Sequence, residues 1–281
     1  MTNLKLKIYA PIEQLKPYVR RVLVTLGDEH TNENLPIGPT GFSYITYSRY
    51  PVKLHYHDRI VQSDENLYLV GQIEKEQPYF SIKGNFFHIG LEILPSLPYY
   101  LFRVKGQDLV DTGMSIMQIS PVFAGEFLNH AATEPDPDKV AQLLQEHTLK
   151  YLQAVKPIKQ LEEILKIIYK YHGNIVIDEL KQLIGWSDRH MRRQFKKIIG
   201  LNPKQYCKII QFNAVFEAIQ TGNEKMIYDL ALENGYYDHA HFINSFKTHL
   251  GKSPRNFLKS EHSFLKSYLG TFKSYINLLC Y

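Results

Sequence analysis

The chain has 281 residues, a net charge of +5, 44% hydrophobic and 22% charged residues, the balance of an ordinary folded protein. This composition excludes disorder or collagen-like repetition as a description of the whole, and the length exceeds the roughly 100–200 residues of one domain, so two domains are predicted. Two cysteines, Cys207 and Cys280, are too few for a disulfide framework or a four-thiolate zinc site and fit a reducing cytoplasm. Charge is unevenly spread: residues 1–155 hold 14 Lys/Arg against 17 Asp/Glu, whereas residues 156–262 hold 17 against 11. Such asymmetry assigns the second part to a polyanion.

In chain order, Leu4, Leu6 and Ile8 alternate with Lys5 and Lys7, which predicts an edge strand and lacks the continuous apolar core of a signal peptide. No apolar run reaches the roughly 20 residues that span a bilayer, so a cytoplasmic location is expected. Alternating runs at Phe42–Tyr47, Asn66–Val70 and Phe86–Leu91, separated by Pro and Gly turns, predict an antiparallel sheet, sandwich or small barrel. Short helices are predicted at Leu97–Phe102 and Pro121–Leu128. After the turn Pro135-Asp-Pro137, Val140, Leu143, Leu144, His147 and Tyr151 follow helical spacing, and Lys156-Pro157 marks a hinge. From Ile158 onward every strong signal is helical.

The basic part contains a repeat. Gly185, Phe195-Lys196, Gly200 and Pro203 recur as Gly235, Phe246-Lys247, Gly251 and Pro254, with one residue added between the helices of the second copy. In each copy a short helix ends at a Gly able to take the left-handed conformation of a tight turn. An N-cap candidate follows, Ser187 or Asp188 in the first copy and Asp238 in the second. The next helix places Met191, Phe195 and Ile198, or Phe242, Phe246 and Leu250, on one apolar face. Its other face carries Arg189, His190, Arg192, Arg193, Lys196 and Lys197 in the first copy. The second copy offers His239, Ala240, His241, Asn244, Lys247 and His249. Arg pairs bidentately with guanine, Asn with adenine, and Lys supplies phosphate contacts. Two such helices, each after a Gly-closed turn, predict recognition helices rather than merely solvated ones.

These residues resemble the AraC/XylS family of bacterial transcription regulators. The stretch Ile227-x-x-Leu230-Ala231-x-x-x-Gly235-Tyr236-x-Asp238-x-x-x-Phe242-x-x-x-Phe246-Lys247-x-x-x-Gly251-x-Ser253-Pro254 is similar to the signature of its second motif. Arg193-Gln-Phe195-Lys196 with Gly200-Leu-Asn-Pro203 and Tyr206 is similar to the first. The sequence departs from the family at Lys181, where Ala is usual, and at Gln211 and Asn244, where Arg is common. The first recognition helix is therefore expected to dominate, with Arg189, Arg192 and Arg193 reading bases.

The resemblance implies an N-terminal sensing or dimerising domain, often cupin-like. An effector would meet Tyr44, Tyr47, Tyr56, Tyr68 and His88, although aromatics also favour strands and cores. His55-x-His57 lacks the short-spaced Glu of cupin metal sites, so no metal or other cofactor is expected. The predicted fold is α+β: an antiparallel, cupin-like β domain with helices over 1–155, and an all-α tandem helix-turn-helix domain over 156–260. An amphipathic helical tail is predicted over 261–281, without acidic residues from His262 onward. The expected partners are double-stranded promoter DNA, RNA polymerase and an unknown small-molecule effector, with the chain a monomer or homodimer. No catalysis is expected. The competing readings are a cupin-type enzyme fused to a DNA-binding domain and a ligand-independent module that recruits polymerase.

Overall fold

The computed structural model describes residues 4–37, 39–56, 60–63, 66–74, 78–218 and 224–259. The predicted tail, 261–281, lies outside the described residues, as does His57.

The strands β1 (Lys5–Tyr9), β2 (Val19–Gly27), β3 (Asn32–Pro36), β4 (Ser43–Ser48), β5 (Val52–His55), β6 (Ile60–Ser63), β7 (Leu67–Val70), β8 (Tyr79–Lys83), β9 (Phe86–Ile93) and β10 (Gly113–Ser115) form two antiparallel sheets. One has the order β1-β2-β9-β4-β7-β10 and the other β3-β8-β5-β6. The predicted N-terminal strand, β1, is an edge strand of the larger sheet.

Strand period decides what each face of the larger sheet does, because successive side chains point to opposite sides. Val22, Val24, Ile45, Tyr47, Leu67, Leu69, Ile89, Leu91 and Ile93 are buried in one apolar core with residues of α3 (Pro121–Ala131) and α4 (Pro137–Leu152). The opposite parity carries Arg21, Thr25, Tyr44, Thr46, Ser48, His88 and Glu92. This face is polar. Arg21 and Glu92, both fully buried, form an ion pair there, and the Tyr44 hydroxyl donates to Glu92 at 2.9 Å. The α4 helix starts where the Asp136 carboxylate accepts the Asp138 amide at 2.9 Å, with Pro137 in the first helical position.

Two short helices, α1 (Leu97–Phe102) and α2 (Ile116–Ile119), precede α3. Beyond α4 the chain is helical: α5 (Lys159–Lys170), α6 (Ile177–Ile184), α7 (Asp188–Gln194), α8 (Pro203–Ala218), α9 (Glu224–Glu233), α10 (His239–Leu250) and α11 (Pro254–Lys259). Between α7 and α8, Phe195–Ile199 is wound as a π-helical turn. The α8 helix serves two cores. Tyr206, Cys207, Ile209 and Ile210 pack with Leu161, Ile164, Leu180, Met191 and Phe195, whereas Phe212 and Val215 pack with Ile227, Ala231, Phe242 and Phe246.

Candidate nucleic-acid interface

Each copy of the sequence repeat folds as a helix, a glycine turn and a second helix. Gly185 closes α6 at φ +73° and Gly235 follows α9 at φ +84°, backbone conformations that a side chain would strain. Ser187 accepts the His190 amide at 3.2 Å and Asp238 accepts the His241 amide at 2.7 Å, so each second helix begins at a capped, exposed end. Of the two candidates for the first cap, Ser187 fills the position. Met191 and Phe195 face inward in the first unit, as do Phe242 and Phe246 in the second. What remains outward is the face available to a ligand.

On α7 that face is partly occupied with itself. Arg189, Arg192 and Arg193 are exposed, but Arg192 donates to Asp188 at 2.7 Å and Arg193 approaches the His190 Nδ1 at 3.2 Å. The His190 ring packs edge-on against Trp186 at 4.6 Å. Lys196 turns back to donate to the Gly200 carbonyl at 3.2 Å, and Lys197 lies 5.0 Å from the Tyr99 ring centre on α1. On α10, His239, Ala240, His241, Asn244 and Lys247 are exposed together. The His239 ring leans on Tyr228 at 4.6 Å and the His241 ring on Tyr236 at 5.1 Å. His249 leaves this face. It packs on Phe212 at 4.6 Å, and burial aided by Lys208 lowers its pKa to about 4. Tyr237, 89% exposed directly before the Asp238 cap, extends the outward face and escaped the sequence reading. Its place as the one added residue of the second copy was the available signal.

Two departures from the family pattern acquire partners. Lys181 bridges Asp178 at 2.5 Å and Asp188 at 3.5 Å, tying α6 to the start of α7. Gln211 donates to the Asn234 carbonyl at 2.6 Å and so fastens α8 to the end of the second unit's first helix.

The candidate effector residues do not all converge. Tyr68 and His88 line a cavity of about 40 Å³ between the two sheets, together with Thr46, Ser48, Val52, Leu54, Asn66, Val70, Phe80 and Gly113. Burial lowers the His88 pKa to about 4, which keeps its ring neutral. Tyr44 instead joins the Glu92 ion-pair network, and Tyr56 is buried without lining the cavity. Tyr47 lies on the other face of β4, where its ring meets Phe127 at 5.4 Å and its hydroxyl reaches the Ala131 carbonyl at 3.4 Å. His55 stacks on Tyr79 at 4.5 Å. Among the described residues, no group of three or more His, Cys, Asp or Glu could hold a metal ion, and no helix is long and apolar enough to cross a membrane.

Two repeated helix-turn-helix units with capped outward helices define a helix-turn-helix protein. Residues 180–260 match the family described as helix-turn-helix domain, and this part of the chain is a helix-turn-helix domain of the AraC type. Over 87 residues, 31% of this chain, it is 26% identical to the uncharacterized HTH-type transcriptional regulator YbfI of Bacillus subtilis and 25% identical to one from Staphylococcus aureus. These matches span 31% and 12% of those proteins' own lengths. Among solved structures, ToxT of Vibrio cholerae is similar over 92% of this chain and 98% of its own, at 10% identity and a TM-score of 0.48. The AraC-like transcriptional activator CuxR is similar over 68% of this chain and 80% of its own, at 10% identity and a TM-score of 0.28.

Proposed function

We propose that this chain is a transcription regulator that binds promoter DNA through α7 and α10, without catalysis, and that its sheet-bearing N-terminal part is a sensing domain. The observation that carries the DNA reading is the paired geometry: two capped, outward helices that follow Gly-closed turns and share the one connecting helix α8. Recognition helices present their N-terminal residues to base edges in the major groove, and phosphate contacts from Lys and Arg fix the register. Arg189, exposed in the first turn of α7, is the leading base-reading residue, with Arg192 and Arg193 beside it. On α10, His239, Ala240, His241, Asn244 and Lys247 supply a second, less charged patch. Contact with RNA polymerase, a cytoplasmic setting and a monomeric or homodimeric state complete this reading from the family resemblance.

Sensing would centre on the cavity lined by Tyr68 and His88. Ser48, Asn66, Tyr68 and His88, a few polar side chains in a mainly apolar lining, favour a ligand over a purely apolar core. Its volume of about 40 Å³ favours a second reading, in which the N-terminal part works as a ligand-independent docking module. An engineered cavity that admits benzene measures about 150 Å³. Replacing Arg189 and Arg193 with Ala and titrating promoter DNA across a salt series tests the DNA reading. A loss of affinity and of sequence preference with a shallower salt slope is expected. Unchanged binding would remove α7 from the interface.

A further inference from the structure

The second unit carries one residue more than the first between its turn glycine and its helix cap, Gly235-Tyr236-Tyr237-Asp238 against Gly185-Trp186-Ser187. In the first unit the residue before the cap has a structural task. Trp186 packs against the core of that unit and lies 4.6 Å from the His190 ring. In the second unit the same task falls to Tyr236, whose ring meets Phe242 at 5.2 Å and whose hydroxyl lies 3.1 Å from the Ser245 hydroxyl. An apolar residue just before a cap often packs on the fourth residue of its helix, here Phe242, but Tyr236 already covers that side chain. Tyr237 is left 89% exposed. The packing of the unit is complete without its ring.

This ring stands at the end from which a recognition helix enters the major groove, where the first residues of the helix approach base edges. Ala240, three residues on, and Asn244, four residues further, are exposed along with it. Charge at this end disfavours a phosphate partner, because the Asp238 carboxylate is exposed beside the ring and would repel one. A thymine C5-methyl group carries no charge and offers the apolar contact that the major groove presents at an A·T pair. We propose that Tyr237 is a specificity-determining residue whose ring, with Ala240 beside it, seats a thymine methyl group in the patch that α10 reads. The proposal rests on the DNA-binding reading above and adds to it what the less charged helix recognises. Asn244, able to pair bidentately with adenine, extends the same preference for A·T pairs.

The probe is the duplex most enriched when the full chain selects from a pool of random duplexes, with each thymidine then replaced singly by deoxyuridine. That exchange deletes one methyl group and leaves base pairing intact. At one thymine, within the patch whose preference survives Arg189→Ala, affinity is expected to fall about fourfold, the effect of returning one buried methyl-sized group to water. Tyr237→Ala should bind the thymidine duplex more weakly by a similar factor and no longer distinguish it from the deoxyuridine duplex. Tyr237→Phe keeps the ring and should keep both the affinity and the discrimination. The proposal is overturned if no thymine in that patch responds to the exchange, or if Tyr237→Ala discriminates as well as the unaltered chain. It is also overturned if Tyr237→Phe loses as much affinity as Tyr237→Ala on both duplexes, which would make the hydroxyl and a phosphate the contact. A pool that emerges without sequence enrichment fails the DNA-binding reading and takes the proposal with it. An enriched site whose methyl groups are indifferent to Tyr237 fails the proposal alone.

Discussion

The Tyr206 hydroxyl donates a 2.8 Å hydrogen bond to the carbonyl of Gly41, which joins α8 to the segment that leads into β4. Tyr169 of α5 reaches the same carbonyl at 3.4 Å and stacks on Phe42 at 5.2 Å, nearly parallel. The first helix-turn-helix unit is thereby fastened to the larger sheet at a buried, hydrogen-bonded point. Tyr206→Phe deletes the shorter bond and the hydroxyl's hydrogen bond with Tyr169 but keeps the ring, while Tyr169 retains its own hold on the carbonyl. A loss of about 1 kcal/mol in urea-measured stability is expected, and no loss would show that Tyr169 alone satisfies the carbonyl.

The buried Arg21–Glu92 pair behaves differently from a surface ion pair. Arg21→Leu leaves the buried Glu92 carboxylate with only Arg20 at 3.9 Å and the Tyr44 hydroxyl at 2.9 Å, and is expected to cost about 3 kcal/mol. Replacing both residues with Leu should recover part of that loss, because no fully buried charge remains and only Arg20, 11% exposed, gives up its 3.9 Å approach to Glu92. Equal destabilisation by the single and double replacements would show that the cost is steric.

The caps give a local test of the two units. Ser187→Ala and Asp238→Ala each remove the acceptor of one helix N-terminal amide, and each should cost about 1 kcal/mol. Because α7 is the more highly charged helix, Ser187→Ala should weaken DNA binding more than Asp238→Ala does. Anisotropy titrations of both variants on one duplex decide this, and the reverse order would make α10 the dominant reader.

Acid should destabilise the fold through two histidines. Burial lowers the His88 and His249 pKa values from the ordinary 6.5 to about 4. Above about pH 6.5 both rings are neutral whether the chain is folded or unfolded, and their contribution to stability is fully present. As pH falls from about 6.5 toward about 4, the unfolded chain takes up protons that the folded chain refuses. Stability is lost through that window, by up to about 1.4 kcal/mol per pH unit for each ring. Denaturation at pH 7 and pH 5 should show the loss, and His88→Gln should make it smaller.

The tandem units were legible in the sequence because their determinants are local. Gly185 and Gly235 end helices, Ser187 and Asp238 cap the next ones, and paired apolar residues such as Met191 with Phe195 repeat at helical spacing. The fates of Lys196 and Lys197 were not, since one depends on a π-wound turn and the other on Tyr99, almost 100 residues away. The seam through Gly41, Tyr169 and Tyr206 is invisible for the same reason. Tyr47 was the avoidable error among the effector residues. It lies three positions from Tyr44 in one strand, and odd spacing in a strand places two side chains on opposite faces. The departures at Lys181 and Gln211 were visible as departures, but their partners Asp188 and Asn234 emerge only from how the helices pack.

The central claim, that α7 and α10 read duplex DNA together, is tested most directly by selecting bound sequences from a pool of random duplexes with the full chain. The predicted result is an asymmetric site with two preferred patches about one helical turn apart, the stronger patch losing its preference when Arg189 is replaced with Ala. A pool that emerges without sequence enrichment, or a single patch indifferent to Arg189, would contradict it.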